Sequence, residues 1–242
     1  MAKVSPLMPH ALLRPLASPE LAPDAGTMER FLAHCHRRRY PNRAEVFRPG
    51  DPADSLHYVI SGTLSILSEE PDGRELVLSY LNPGDFIGEL GLFVTTDHRE
   101  VVLRTRSPVE LAEIGYERLL GLLGGPLHAE CPRLLYAIGS QLAKRLLDTS
   151  RKASRLAFMD VSGRILRTLH ELCEEPGALS HPQGTQIRVS RQEISRIVGC
   201  SREMAGRVLK QMQAQGLLHA RGKTIVIFRE PQAAQSTTIT AA

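Results

Sequence analysis

Nothing in the 242-residue chain approaches the roughly 20 consecutive apolar residues that a helix needs to cross a bilayer, so no membrane partner is expected. Cysteine is sparse. Cys35, Cys131, Cys173 and Cys200 lie far apart and none forms a C-x-x-C pair. That spacing argues against zinc ribbons, redox dithiols and iron–sulfur clusters, and fits reduced thiols in a cytoplasmic protein. Enzyme signatures are missing as well: no glycine-rich Walker loop and no nucleophile–base pair stands out, so no catalytic residue is assigned. His34-x-His36 has metal-ligand spacing, but it precedes the strands, and no matching glutamate and third histidine follow as in a catalytic cupin. No metal or resident cofactor is expected. Residues 1–26 carry Pro6, Pro9, Pro15, Pro19 and Pro23, which break any secretory apolar stretch, so this segment reads as a disordered arm. The polar residues 231–242 read as a disordered tail.

What is present is ordinary globular composition, 42% hydrophobic and 23% charged, with a marked asymmetry of charge. Between Ser190 and Arg229, eight basic residues (Arg191, Arg196, Arg202, Arg207, Lys210, Arg221, Lys223, Arg229) face only Glu193 and Glu203, a net +6. The whole chain carries +4, so the other residues sum to −2. A basic end on a slightly acidic body points to a polyanionic partner there.

Residues 41–114 read as short strands cut by glycine turns: Leu56–Ile60, Thr63–Ser68, Glu75–Leu81, Val101–Thr105 and Glu110–Ile114. Their length and spacing argue for a sandwich or barrel. From Pro132 to Leu156 the texture becomes helical. Leu135, Gly139, Leu142, Leu146, Thr149, Ala153 and Leu156 alternate in steps of four and three, a heptad-like seam expected to pair with a second copy. Ala157 to Asp160 reads as a hinge, with Asp160 capping the next helix. The fold class is therefore α+β. The expected domains are a β jelly roll over 27–131, a dimerisation helix and hinge over 132–157, and a C-terminal winged helix-turn-helix over 158–230.

The last domain carries the clearest signal. Ser190 with Glu193 three residues on makes a capping box, Ile194, Ile197 and Val198 give an apolar face, and Gly199 permits a sharp turn. Ser201 caps a second helix whose Met204, Val208 and Met212 point inward, while Arg202, Glu203, Arg207 and Lys210 point outward. Two short helices joined this way present side chains to a major groove, where arginine pairs with guanine and glutamate accepts from cytosine. A basic hairpin turning at Arg221-Gly222-Lys223 suits a phosphate-contacting wing.

These residues, SRQEISRIVGCSREMAGRVLKQMQAQGLLHARGKTIVIF, closely resemble the effector domain of the cyclic-AMP receptor protein (CRP/FNR) family. The likeness continues through PGDPADSLHYVISGTLSIL, LNPGDFIGELGLF and RKASRLAFMDVSGRI, over about residues 28–229, and is nearer still to the Clp (CAP-like protein) branch. It implies a homodimer reading a two-fold TGTGA-type site, with Arg202, Glu203 and Arg207 reading bases and Arg191 and Ser201 near phosphates. Phe86 to Phe93 matches the family's phosphate-binding cassette. Gly88 would let backbone N–H groups approach a phosphate, Glu89 would accept a ribose hydroxyl, Arg99 would pair with phosphate oxygens, and Thr149 and Ser150 would meet a purine. Glu100 departs from the cyclic-AMP pattern, which has a small hydroxyl there. A carboxylate 4 Å from a bound phosphodiester repels it by roughly 4 kcal/mol at an effective dielectric near 20. Clp-like proteins share this glutamate, so the resemblance implies activity without ligand and antagonism by cyclic di-GMP. Arg155, Arg164 and Arg167 are the candidates to hold that dianion. Without ligand, Glu100 is expected to pair with Arg99 or with a basic group of the long helix. The loop Leu179 to Gly184, with Ser180, His181 and Gly184, resembles the family's RNA polymerase contact. The alternatives are a cyclic-AMP-activated regulator and, in another class, the ligand-binding regulatory subunit of an enzyme.

Overall fold

The computed structural model describes residues 21–175 and 177–229. The expected tail, Pro176 and the arm as far as residue 20 lie outside the described residues. Helix α1 (Ala25–Leu32) is capped by Asp24, whose carboxylate accepts from Thr27 N at 2.6 Å. Ala25 and Gly26 therefore leave the expected arm and join a helix, because Phe31 one turn on is buried in the core.

Eight strands follow: β1 (His36–Tyr40), β2 (Glu45–Phe47), β3 (Ser55–Ser61), β4 (Leu64–Glu69), β5 (Glu75–Leu81), β6 (Phe86–Ile87), β7 (Val102–Thr105) and β8 (Val109–Gly115). They pair into two antiparallel sheets, β1-β8-β3-β6 and β2-β7-β4-β5. The inward side chains Phe47, Val59, Leu64, Leu81, Ile87, Leu103 and Leu111 form one buried cluster between them. The five expected strands are present to within about a residue, but β1, β2 and β6 were not expected. β1 reads His-Arg-Arg-Arg-Tyr and shows no apolar alternation, because it is an edge strand. Its Arg37, Arg38 and Arg39 pair with Glu110 and Glu113 of β8.

Helix α2 (Tyr116–Leu123) and the start of helix α3 (Cys131–Phe158) close one end of the sandwich, where Phe31, Leu56, Phe86, Ile114, Leu119, Leu134 and Ile138 share a core. At 28 residues, α3 is about 42 Å long and reaches well past the sheets. Past its second turn only part of the seam faces outward: Leu146 is 68% exposed, whereas Thr149 lines a pocket on the β sandwich and Leu156 lies beside Gly199. Leu142 also packs partly on its own domain. The helix runs through Phe158, so the hinge shrinks to Met159 and Asp160. Asp160 then caps helix α4 (Val161–Cys173) by accepting from Gly163 N at 2.8 Å.

Strands β9 (Leu179–His181) and β10 (Gly184–Arg188), helices α5 (Arg191–Val198) and α6 (Arg202–Ala214), and strands β11 (Leu218–Arg221) and β12 (Thr224–Phe228) complete the fold. The strands form a sheet of order β11-β12-β10-β9. Ile165, Leu169, Ile187, Ile194, Val198, Ala205, Leu209, Leu218 and Ile225 make its core with the helices. Residues 179–184, expected as a loop, are a hairpin, with Gly184 buried against β12. Among the described residues no helix is long and apolar enough to cross a membrane.

Leu146 is the cleanest probe of the seam, since it serves no core of its own domain. Leu146→Asp should abolish self-association in multi-angle light scattering while leaving the melting temperature of each domain nearly unchanged. A variant that still runs as a dimer would place the partner-binding face elsewhere.

Candidate nucleic-acid interface and sensor pocket

Ser190 caps α5 by accepting from Glu193 N at 3.1 Å. Gly199 ends the helix at φ 71°, a left-handed turn that side-chain-bearing residues rarely adopt. Ser201 caps α6 by accepting from Met204 N at 3.1 Å. Ala205, Val208, Leu209 and Met212 are buried, whereas Arg202, Glu203, Arg207 and Lys210 are exposed together. The first turn of α6 thus offers one guanidinium and one carboxylate to a groove. Arg191 lies alongside: a Cβ added at Gly206 would sit 3.6 Å from its Cδ. Exposed His219, Arg221 and Lys223 surround the β11–β12 turn on the same domain. The capping box is only half made. Rather than returning to Ser190, the Glu193 carboxylate accepts from the Tyr80 hydroxyl of the sensor domain at 2.6 Å.

The sensor pocket is a cavity of about 320 Å³ lined by Gly88, Glu89, Arg99, Glu100, Arg145 and Thr149, with apolar walls from Phe47, Ile66 and Ile87. Ser150, one residue on, is exposed and does not line it. Gly88 has φ 84°, and a Cβ there would sit 2.7 Å from both Arg99 Nη1 and Ser55 O, so only glycine fits. Arg99 is buried and already partnered. Its Nη2 donates to Ser55 O at 2.7 Å, its Nη1 to the Tyr116 hydroxyl at 3.4 Å, and its guanidinium stacks 4.7 Å from the Phe47 ring centroid. Glu89, 4% exposed, holds Arg145 of α3 in an ion pair. The sequence reading did not assign Arg145 to the pocket. The expected pairing of Glu100 with Arg99 or the long helix does not form: Glu100 is exposed at the rim and makes no ion pair among the described residues, since Arg99 is turned inward to Ser55.

A second, larger cleft of about 900 Å³ opens between β5, α3, α4 and α5. Lys144, Arg145, Arg151, Lys152, Arg155 and Arg164 line it, with Asp85, Asp148, Glu171, Glu174 and Glu175 as the acidic counterweight. Arg145, Asp148, Leu78 and Ser79 belong to both cavities. Lys152 is bonded to Val77 O, and burial followed by the charge of Arg155 brings its ammonium down to about 8. Arg164 spans the hinge, donating to Met159 O at 2.8 Å and Val198 O at 3.2 Å. Arg155 pairs with Glu171 at 2.8 Å. Arg167 does not line the cleft itself but pairs at 3.3 Å with Glu171, which does and which also holds Arg155.

The chain matches the model of the cyclic nucleotide-binding domain over residues 37–124 and that of the bacterial regulatory proteins of the crp family over residues 187–218. It is 68% identical over 212 residues to the CRP-like protein Clp of Xanthomonas euvesicatoria pv. vesicatoria, covering 88% of this chain and 92% of that protein. This chain belongs to the CRP/FNR family. Its fold matches the solved structure of the c-di-GMP-responsive global regulator CLP of Xanthomonas campestris, which links cell–cell signalling to virulence gene expression. The TM-score is 0.82 at 68% identity, over 86% of this chain and all of that one. The CRP/FNR regulator TTHA1359 of Thermus thermophilus shares the fold with a TM-score of 0.65 at 22% identity, over 80% of this chain and 93% of that one. As a CRP/FNR member, the chain is a DNA-binding transcription regulator with a cyclic nucleotide-binding domain, and its relatives are regulators, not enzymes.

Two predictions follow from the geometry of this CRP/FNR chain. Arg202→Ala should weaken operator binding by roughly 1–3 kcal/mol per half-site and relax discrimination at one guanine. Gel shifts on single-base operator variants that show unchanged discrimination would remove α6 as the reader. The second concerns His57, 6% exposed below Arg99, with no hydrogen-bond partner for Nδ1 among the described residues. Burial, then the charges of Arg99 and Arg38, lowers it from 6.5 to about 4. The unfolded chain takes up this proton at a higher pH than the folded one. Stability is therefore full above pH 6.5 and falls toward pH 4, by about 1.4 kcal/mol per pH unit. Urea midpoints of His57→Gln should lose that part of the slope. Identical slopes in both proteins would contradict the assignment.

Proposed function

We propose that the chain is a homodimeric regulator that reads a TGTGA-type palindrome without a ligand and is released from it by cyclic di-GMP. The observation that carries this reading is the contrast in size and charge between two cavities that share the wall of Leu78, Ser79, Arg145 and Asp148. The small pocket has its arginine committed to Ser55 and Tyr116 and a carboxylate, Glu100, at its rim. Both features work against a phosphodiester there. The larger cleft has room for a cyclic dinucleotide, about 900 Å³, and six cationic side chains against five carboxylates. Arg155 and Arg164 would hold its phosphates. Because Arg164 also bonds Met159 O and Val198 O, recruiting it would loosen the hinge. That the X. campestris regulator is c-di-GMP responsive supports the same ligand for this chain.

Dimerisation through the exposed part of the α3 seam would set two copies of α6 about one DNA turn, some 34 Å, apart. RNA polymerase would meet the β9–β10 hairpin, where Ser180 is exposed and Leu179 is 59% exposed. Gly184 is buried and would act there only by shaping the turn. This work takes place on chromosomal DNA in the cytoplasm.

A ligand shifts a two-state equilibrium only by its differential affinity, about 1.4 kcal/mol for each tenfold loss of operator binding. In anisotropy titrations of a labelled operator, the ligand-free protein should bind well above random DNA, cyclic di-GMP should weaken that binding, and cyclic AMP should leave it unchanged. Glu100→Ser should raise cyclic-AMP affinity. A ligand-free protein that ignores the operator until cyclic AMP is added would reverse the ligand assignment.

A further inference from the structure

A polar junction joins the two halves of the chain at the edge of the larger cleft. It runs along β5, the outer strand of its sheet, and α5, the first helix of the DNA-binding unit. Tyr80 donates to Glu193 Oε1 at 2.6 Å, and Arg106 approaches the same oxygen at 3.4 Å while stacking 4.1 Å over the Tyr80 ring. One turn further along α5, Arg196 Nε lies 2.5 Å from Glu75 Oε2 in ion-pair contact. Glu75 is itself held by Arg104 at 2.6 Å, and Arg104 by Glu45 at 2.8 Å. Just past the second pin the surfaces meet closely: a Cβ added at Gly199 would sit 3.2 Å from Leu76 Cδ1.

Positions 193 and 196 share one face of a helix. A single pin would leave α5 free to pivot, whereas two pins a turn apart fix its rotation as well as its place. Since α5 and α6 share the core of Ile194, Val198, Ala205 and Leu209, whatever fixes α5 fixes α6. The pins are also built to hold. Tyr80 is largely buried, and burial followed by Glu193 keeps its phenol far above the usual range, so it remains a donor. The Glu75 side chain is 11% exposed, where an ion pair is little screened.

We infer that Tyr80 and Glu75 are positioning residues for DNA reading: through Glu193 and Arg196 they hold the helix-turn-helix in its reading attitude in the ligand-free chain. This rests on the proposed ligand-free activity and gives it a physical cause. It also explains how a dianion in the larger cleft acts on DNA binding. Val77, Leu78 and Tyr80 of β5 and Ile197 and Val198 of α5 line that cleft, so its occupant lies directly against the junction.

The test is a double-mutant cycle in the full-length dimer, with Tyr80→Phe, Glu193→Ala and the pair, read by anisotropy on a TGTGA palindrome and on a scrambled duplex. Thermal melts of each variant run alongside. Arg196→Gln, at a partly exposed side chain, is the second probe should either change impair folding. Each single change should weaken palindrome binding about tenfold and scrambled-duplex binding hardly at all, and the pair should lose no more than one of them. The variants should also lose less on adding cyclic di-GMP than the unmodified protein does. Unmodified protein that binds the palindrome without ligand while all variants bind equally well overturns the positioning role alone. Strictly additive losses do the same, since the residues would then act separately. Unmodified protein that fails to bind without ligand overturns the ligand-free reading and this inference with it.

Discussion

One helix has to satisfy three surfaces. The first turns of α3 are buried in the sensor core through Leu134 and Ile138, its middle turns send Arg145 into the sensor pocket and Lys152 to β5, and its outward stripe leaves Leu146 in water. Helical periodicity makes this possible, because residues three and four apart share a face while intermediate ones do not. It also makes the arrangement sensitive. A rotation of α3 that improved one face would strain the others.

The electrostatics follow the same economy. Arg145 is shared between the pocket, where it neutralises buried Glu89, and the cleft, where it is one of six cations. Arg164 is both a cleft residue and a clamp across the two-residue hinge. Groups with two duties are where a ligand gains leverage, because binding to one duty withdraws the other. Arg99, tied to Ser55 and Tyr116 beside Phe47, bridges β3 to α2.

Much of the fold was legible because local rules and tertiary packing agree. The turns between strands, the caps Asp160, Ser190 and Ser201, and the inward Val208 and Met212 are all found where the sequence puts them. The exceptions share a physical reason: the deciding partner lies far along the chain. β1 hides its strand character because its arginines are satisfied by β8 carboxylates some 70 residues away. The local pattern assigned Glu193 to a capping box, yet its carboxylate goes to Tyr80, 113 residues earlier. Arg145 lies outside the sequence's candidate set, and only the folded helix brings it to Glu89, 56 residues earlier. The Glu100–Arg99 pairing does not form: Arg99 donates to Ser55 O, 44 residues earlier, and Glu100 stays at the rim. Within the site, then, residue types and motifs were readable, whereas the choice among competing partners was not.

The central claim is that the ligand-free chain already holds its DNA-binding unit in the attitude that reads DNA. It is tested most directly by a distance. A fluorophore pair on the exposed β4–β5 turn at Asp72 and the exposed β9–β10 turn at Gln183 spans the junction without touching either cavity or α6. In dimers with one labelled subunit, energy transfer should be the same with and without a TGTGA palindrome, and should change when cyclic di-GMP is added. Transfer that stays fixed with cyclic di-GMP but shifts when the palindrome binds would show that DNA, and not the chain itself, sets the reading attitude.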